Sequence, residues 1–176
     1  MVSAIVYHSQ TGSCKKYAHL LSAALHVPAY PDGKAPVRSD RKVIYIGWAF
    51  AGKVAGYQKA AQKFSIAAVV LVGMSPVFPD SAAKGREANG IPDDVGFYCL
   101  QGGFDSSKLP LPLRLIMKLK CKEIAARLEQ KKGELSEPEK ALYQMVTTGK
   151  GEPPLWDVSR IAADFLPDGG GLKQPR

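Results

Sequence analysis

The sequence predicts an α/β fold, a parallel sheet with helices on both faces. Three observations carry this. Apolar strand-like segments alternate with amphipathic helical segments over the first hundred residues, the pattern of a parallel sheet built from crossover units. The run Ile66–Gly73 is apolar throughout, as a strand covered on both faces must be. The first strand passes into the first helix through the polar, glycine-containing loop Ser9-Gln10-Thr11-Gly12-Ser13-Cys14.

In chain order, the first strand is expected at Ser3–Tyr7. The first helix follows at about Ser13–Leu25, with Tyr17, Leu21 and Leu25 on one face. The second strand, His26–Tyr30, contains Pro28 and is therefore expected at an edge. Pro31–Arg41 reads as a loop and Lys42–Gly47 as the third strand. The second helix is expected at Val54–Phe64, the fourth strand at Ile66–Gly73, a short helix at Ser81–Asn89 and the fifth strand at Gly96–Leu100. The alternation then stops. Leu109–Lys132 is a long basic helix entered through Pro110 and Pro112, and Ser136-Glu137-Pro138-Glu139 is a capping box opening a helix to Thr148. After the loop Gly149–Pro154, Asp157 is expected to cap a last helix, Val158–Leu166. Residues 1–166 thus read as one domain with a helical insertion at about 105–150, and 167–176 as a flexible tail.

Composition excludes several classes. The hydrophobic and charged fractions, 45% and 23%, are those of an ordinary globular domain. Neither of the longest apolar runs, Ile66–Met74 and Leu109–Leu119, is long and uninterrupted enough to span a bilayer. The amino terminus has no basic leader and begins like a strand, so a cytoplasmic location is expected. Cys14, Cys99 and Cys121 are odd in number and far apart, which argues against a disulfide framework or a zinc site. His8, His19 and His26 have no metal-ligand spacing, and no metal is expected. No nucleic-acid partner is expected either.

The charge is uneven. Lys108–Lys132 holds eight basic residues against Glu123 and Glu129, which is +6 of the total +8. On a helix, Leu113, Met117, Cys121, Ile124 and Leu128 form an apolar stripe beside a basic row of Arg114, Lys118 and Lys122. Such a helix either packs its stripe on the sheet, with solvated lysines, or lies on an anionic membrane surface as a peripheral attachment, or guides an anionic substrate. Because the segment follows the fifth strand, it is expected to lie beyond the loops that enclose a ligand and to serve a partner.

The loop Ser9–Cys14 has the chemistry of a phosphate site. A helix N-terminus offers free N–H groups and a positive dipole end, and Gly12 allows close approach. Neither the Gly-x-x-x-x-Gly-Lys-Ser/Thr spacing nor Gly-x-Gly-x-x-Gly is present, so P-loop nucleotide hydrolysis and the dinucleotide fingerprint are excluded.

Strand, then Ser9-x-Thr11-Gly12-x-Cys14, then helix resembles the FMN phosphate loop of the flavodoxin-like family, Thr/Ser-x-Thr-Gly-x-Thr. Cys14 departs from it, standing where threonine is usual. The resemblance implies the strand order 2-1-3-4-5 and FMN held by Ser9, Gln10, Thr11, Gly12, Ser13 and Cys14. It also implies that the loop after the third strand packs on the flavin, with Gly47, Trp48, Ala49, Phe50 and Gly52, and that Met74 and Ser75 close the other side. Gln101-Gly102-Gly103-Phe104-Asp105, the basic methionine-containing helix after it, and the Trp156-Asp157 start of the last helix are similar to the branch that includes menaquinone-dependent protoporphyrinogen oxidase. The insertion is longer here. Family members that carry electrons are generally acidic, whereas this chain is basic. The resemblance therefore implies an oxidoreductase moving electrons from a reduced, porphyrinogen-like substrate to an acceptor such as a quinone. A flavodoxin-type carrier, or an interaction module that no longer binds FMN, are the alternatives. No catalytic residue stands out; Glu87, Asp93, Asp94 and Asp105 qualify only by lying near loop ends.

Overall fold

Val43, Ile44, Tyr45 and Ile46 are all fully buried, so the third strand is covered on both faces and must be central. Each such side chain contributes about 1.5–3 kcal/mol of burial free energy. A computed structural model describes residues 1–131 and 133–166. The expected tail, 167–176, and Lys132 lie outside the described residues.

The elements are β1 (Ala4–His8), α1 (Ser13–Leu25), β2 (Ala29–Pro31), β3 (Lys42–Phe50), β4 (Lys53–Val54), α2 (Tyr57–Lys63) and β5 (Ser65–Gly73). They continue as α3 (Ser81–Asn89), β6 (Gly96–Gln101), β7 (Phe104–Asp105), α4 (Leu111–Glu129), α5 (Glu137–Thr148), β8 (Lys150–Gly151) and α6 (Ser159–Phe165). Five parallel strands run in the order β2-β1-β3-β5-β6. This is a flavodoxin-like doubly wound sheet, with the order reversing between β1 and β3.

Strand alternation sorts the core into two layers. Ile5, Tyr7, Ile44, Ile46, Val70 and Val72 pack with Tyr17 and Leu21 of α1 and Ile161 of α6. Ala4, Val6, Val43, Tyr45 and Val69 pack on the other side with Tyr57 and Ala60 of α2 and with Phe97 of β6. A third cluster belongs to the insertion: Phe104, Leu109, Cys121, Leu128, Leu142, Met145 and Val146. The stripe expected on α4 is its packing face against α5.

Four expectations change. The second strand starts at Ala29 rather than His26, because His26 adopts a left-handed conformation (φ 53°) that closes α1. It is nevertheless an edge strand. The third strand runs on to Phe50, turns at Ala51 (φ 48°) and Gly52 (φ 77°), and pairs with β4, so the expected loop is a β-hairpin. That hairpin takes Val54, and α2 starts at Tyr57. The fourth change is an antiparallel pair, β7–β8, in which Phe104 faces Gly151 and Asp105 faces Lys150. It brings both ends of the insertion together.

The capping box forms as expected: the Ser136 N–H donates to Glu139 Oε2 at 2.9 Å. Asp157 Oδ1 accepts from the Ser159 N–H at 2.8 Å at the start of α6.

Candidate functional site

A cavity of about 750 Å³ opens at the carboxyl ends of β3, β5 and β6. It lies beside the point where the strand order reverses, where doubly wound sheets bind ligands. Its floor is the loop after β1 and the first turn of α1, through Ser9, Gln10, Thr11, Ser13 and Cys14. One wall is the β3–β4 hairpin, including Trp48, Ala49, Phe50 and Gly52, and another is the segment after β5, including Met74 and Ser75. Trp48 and Phe50, two residues apart on one strand face, stand edge to face with ring centroids 5.4 Å apart.

Two residues implied for the site lie off this wall. Gly47 faces the other side of β3, where an added Cβ would come within 2.6 Å of the Ala55 carbonyl and of Val54. It accommodates the returning hairpin. Gly12 borders a second, smaller cavity of about 280 Å³, together with Lys16, Lys108 and Lys150.

The phosphate-type loop is built by specific bonds. Gly12 takes φ 109°, a conformation costly for any other residue, and no protein atom lies within 4 Å of where its Cβ would be. As the N-cap of α1, Gly12 has no side chain to cap the helix, and Ser9 Oγ accepts from the Lys15 N–H at a long 3.4 Å. Ser13 Oγ donates to the Gly103 carbonyl at 2.9 Å, and the Gly102 N–H donates to the Gly73 carbonyl at 2.7 Å. An added Cβ at Gly102 would meet Val72 of β5 at 2.6 Å and Ser13 of α1 at 3.0 Å, so glycine is what lets the turn after β6 close against both. Cys14 is buried in the core, and that burial pushes its thiol pKa up to about 12. A neutral, buried thiol leaves the Cys14 backbone N–H, rather than its side chain, to meet an anion.

The insertion stands over this cavity rather than beyond it, contrary to the expectation for Lys108–Lys132. Leu109, Leu113, Ile116, Met117 and Lys120 all line it. The β7–β8 pair anchors the insertion at the carboxyl edge of the sheet, which brings the first turns of α4 to the cavity. Gly102, Gly103, Leu109 and these α4 residues line the cavity without having been singled out for it by the sequence. The Gly-Gly turn was visible, but its partner, the start of α1, is distant in sequence.

The loop-end acids do not converge on the larger cavity. Asp93 and Asp94 precede β6 and so lie at the opposite end of the sheet. Asp105 borders the smaller cavity, where the Ser107 hydroxyl holds its pKa below the usual range. Among the described residues no cluster of His, Cys, Asp or Glu could hold a metal, and no helix is long and apolar enough to cross a membrane.

The residues present fit a flavin mononucleotide. An open glycine at the start of a helix, with the Ser13 and Cys14 N–H groups unbonded to any side chain among the described residues, suits a phosphate. Trp48 and Phe50 suit a flat apolar ring. The indole Nε1 of Trp48 is buried and has no hydrogen-bond partner among the described residues. Fold and site together define a class: a doubly wound α/β protein of flavodoxin-like topology with a largely apolar cavity at its carboxyl edge. No family model, curated protein or solved structure matches this chain.

Proposed function

We propose that this protein is an FMN-binding oxidoreductase that moves electrons between a reduced organic substrate and an acceptor such as a quinone. The observation that carries the reading is the cavity itself. Its floor is the start of α1, with Thr11 and Ser13, and an aromatic pair stands on the adjoining wall, while Gly12 borders the smaller cavity next to it. The two features match the two ends of one ligand.

FMN, when bound, would supply the hydride and electron-transfer chemistry. The chain's own residues bind and orient. The Thr11 hydroxyl and the N–H groups at the start of α1 hold the phosphate dianion. Lys150 adds positive potential next to that loop, where Lys16 and Lys108 are paired with Glu152 and Asp105. Trp48 and Phe50 would pack against the ring from the hairpin wall. Leu113, Ile116 and Met117 exclude water and extend the apolar wall past the loops, leaving room for an organic substrate that a pure electron carrier does not need.

The test is titration of purified protein with FMN, followed by flavin fluorescence and the visible spectrum, with FAD in parallel. FMN should bind and be quenched, and FAD should bind more weakly, because the loop grips a terminal phosphate. Absence of any spectral or fluorescence change with FMN in excess would overturn the reading in favour of a module without cofactor.

A further inference from the structure

The solvent face of α4 is not polar. Leu111, Leu115, Leu119 and Ile116 are 55–75% exposed. The three leucines are four apart and form one row, on the side of the helix away from the residues that pack on α5. Lys118 and Lys122, also four apart, run beside them. Among the described residues neither has a carboxylate partner; the ion pairs on this helix are Lys120–Glu123 and Arg127–Glu123. Ile116 also lines the large cavity, and two other residues of that cavity's wall, Phe50 and Val77, are each 48% exposed. Phe78 beside Val77 is exposed as well.

An apolar row of this length on an exposed helix marks an interaction surface. Its charge selects the occupant. A second copy would bring one strongly basic segment against another, so self-association is opposed by like charge. Leucines bordered by lysines whose stems can follow the apolar surface, with their ammonium groups held outward, match the boundary between acyl chains and anionic headgroups. The helix is about 28 Å long at 1.5 Å per residue, sufficient to lie flat in that boundary.

We propose that α4 is an in-plane docking helix for an anionic lipid bilayer, with Leu111, Leu115 and Leu119 entering the headgroup boundary and Lys118 and Lys122 pairing with lipid phosphates. The docked surface borders the cavity, so an apolar molecule can pass between bilayer and cavity without crossing water. The proposal stands on the surface of α4 and does not depend on which cofactor the cavity holds.

The test is co-sedimentation of the full chain with vesicles of phosphatidylglycerol and phosphatidylcholine, against vesicles of phosphatidylcholine alone, at low and high salt. Wild type should bind the anionic vesicles at low salt, and binding should weaken as salt is raised. Lys118→Gln with Lys122→Gln should lower the partition coefficient about thirtyfold. Leu115→Ser with Leu119→Ser should abolish binding while leaving the basic residues in place. All four side chains are exposed, and thermal melting checks that the variants stay folded. Three outcomes overturn the proposal: failure of wild type to bind anionic vesicles at low salt; binding of the leucine variant equal to that of wild type, which removes the leucine row from the contact; and a wild-type dimer in sedimentation velocity that the leucine substitutions dissociate, which assigns the row to a second copy.

Discussion

The Ser13 hydroxyl donates to the Gly103 carbonyl at 2.9 Å, tying the first residue of α1 to the turn after β6. That bond commits the only proton the hydroxyl can donate. Thr11, on the same loop, has no such internal bond among the described residues, so its hydroxyl is available to an anion. The two positions should therefore respond differently. Thr11→Ala should weaken FMN binding by about 1.5–3 kcal/mol, roughly ten- to hundredfold. Ser13→Ala should cost about 1 kcal/mol of stability and change affinity much less. Fluorescence titration and thermal melting of both variants make the comparison; equal losses of affinity would refute the assignment.

Gly12 separates a backbone effect from a packing effect. No protein atom would meet a Cβ there, but φ 109° is strained for any L side chain. Gly12→Val should lower stability by about 1–3 kcal/mol through strain, and should also place its methyl groups where an anion approaches the helix. FMN binding should be lost in a protein that still melts cooperatively. Retained affinity in the titration would move the phosphate site elsewhere.

The parts of the structure legible in the sequence are those with a local physical signature. The polar loop at Ser9–Cys14, the doubly buried strand at Ile66–Gly73 and the capping box at Ser136–Glu139 each carry their signal within a few residues. The β3–β4 hairpin was hidden because its turn places alanine, not glycine or asparagine, at the first left-handed position. The β7–β8 pair consists of two-residue strands whose partners are more than forty residues apart, and no local pattern encodes it. The α4 wall of the cavity depends on that pair and was equally hidden. The exposed leucine row escaped notice for another reason. With apolar residues on both sides of α4, periodicity identified the packing stripe and left the second row unassigned.

The turn offers a stability prediction. Ala51 sits at φ 48°, where an L residue with a Cβ loses about 1–2 kcal/mol, and Gly52 follows at φ 77°. Both angles belong to a type I′ turn, for which Asn-Gly is the preferred pair. Ala51→Asn should raise stability by about 0.5–1 kcal/mol in urea denaturation with the slope unchanged. A decrease would show that the turn is held some other way.

Glu139 sets a pH dependence for the insertion. Its carboxylate pairs with Lys131 and accepts from the Ser136 N–H and hydroxyl, which together hold its pKa at about 2 against an ordinary 4.5. A depressed carboxylate pKa means the stabilisation is fully present above pH 4.5 and is lost as pH falls toward 2. Glu139→Gln should therefore lower the melting temperature near neutrality, and the gap from wild type should narrow steadily below pH 4.5. A gap that stays constant down to pH 3 would contradict the pairing.

Gln101 joins the sheet to the insertion. Its buried amide Nε2 donates to the Met74 carbonyl and to the Pro138 carbonyl, each at 3.0 Å, linking the end of β6 to the segment after β5 and to the start of α5. Its own carbonyl on the main chain accepts from Tyr17 Oη at 2.6 Å, a bond that does not need the side chain. Gln101→Leu keeps the volume and the Tyr17 bond but strands the Met74 carbonyl, at about 1–3 kcal/mol if water cannot reach it, whereas the Pro138 carbonyl keeps its bond within α5. Global stability should fall by about 1–3 kcal/mol. The loss should also be local, since the insertion has its own core and depends on this amide for attachment. Amide hydrogen exchange should accelerate in α5 and α4 before it does in β1 and β3. Uniform acceleration across the sheet and the insertion would mean that the two fold as a single cooperative unit and that Gln101 is not their joint.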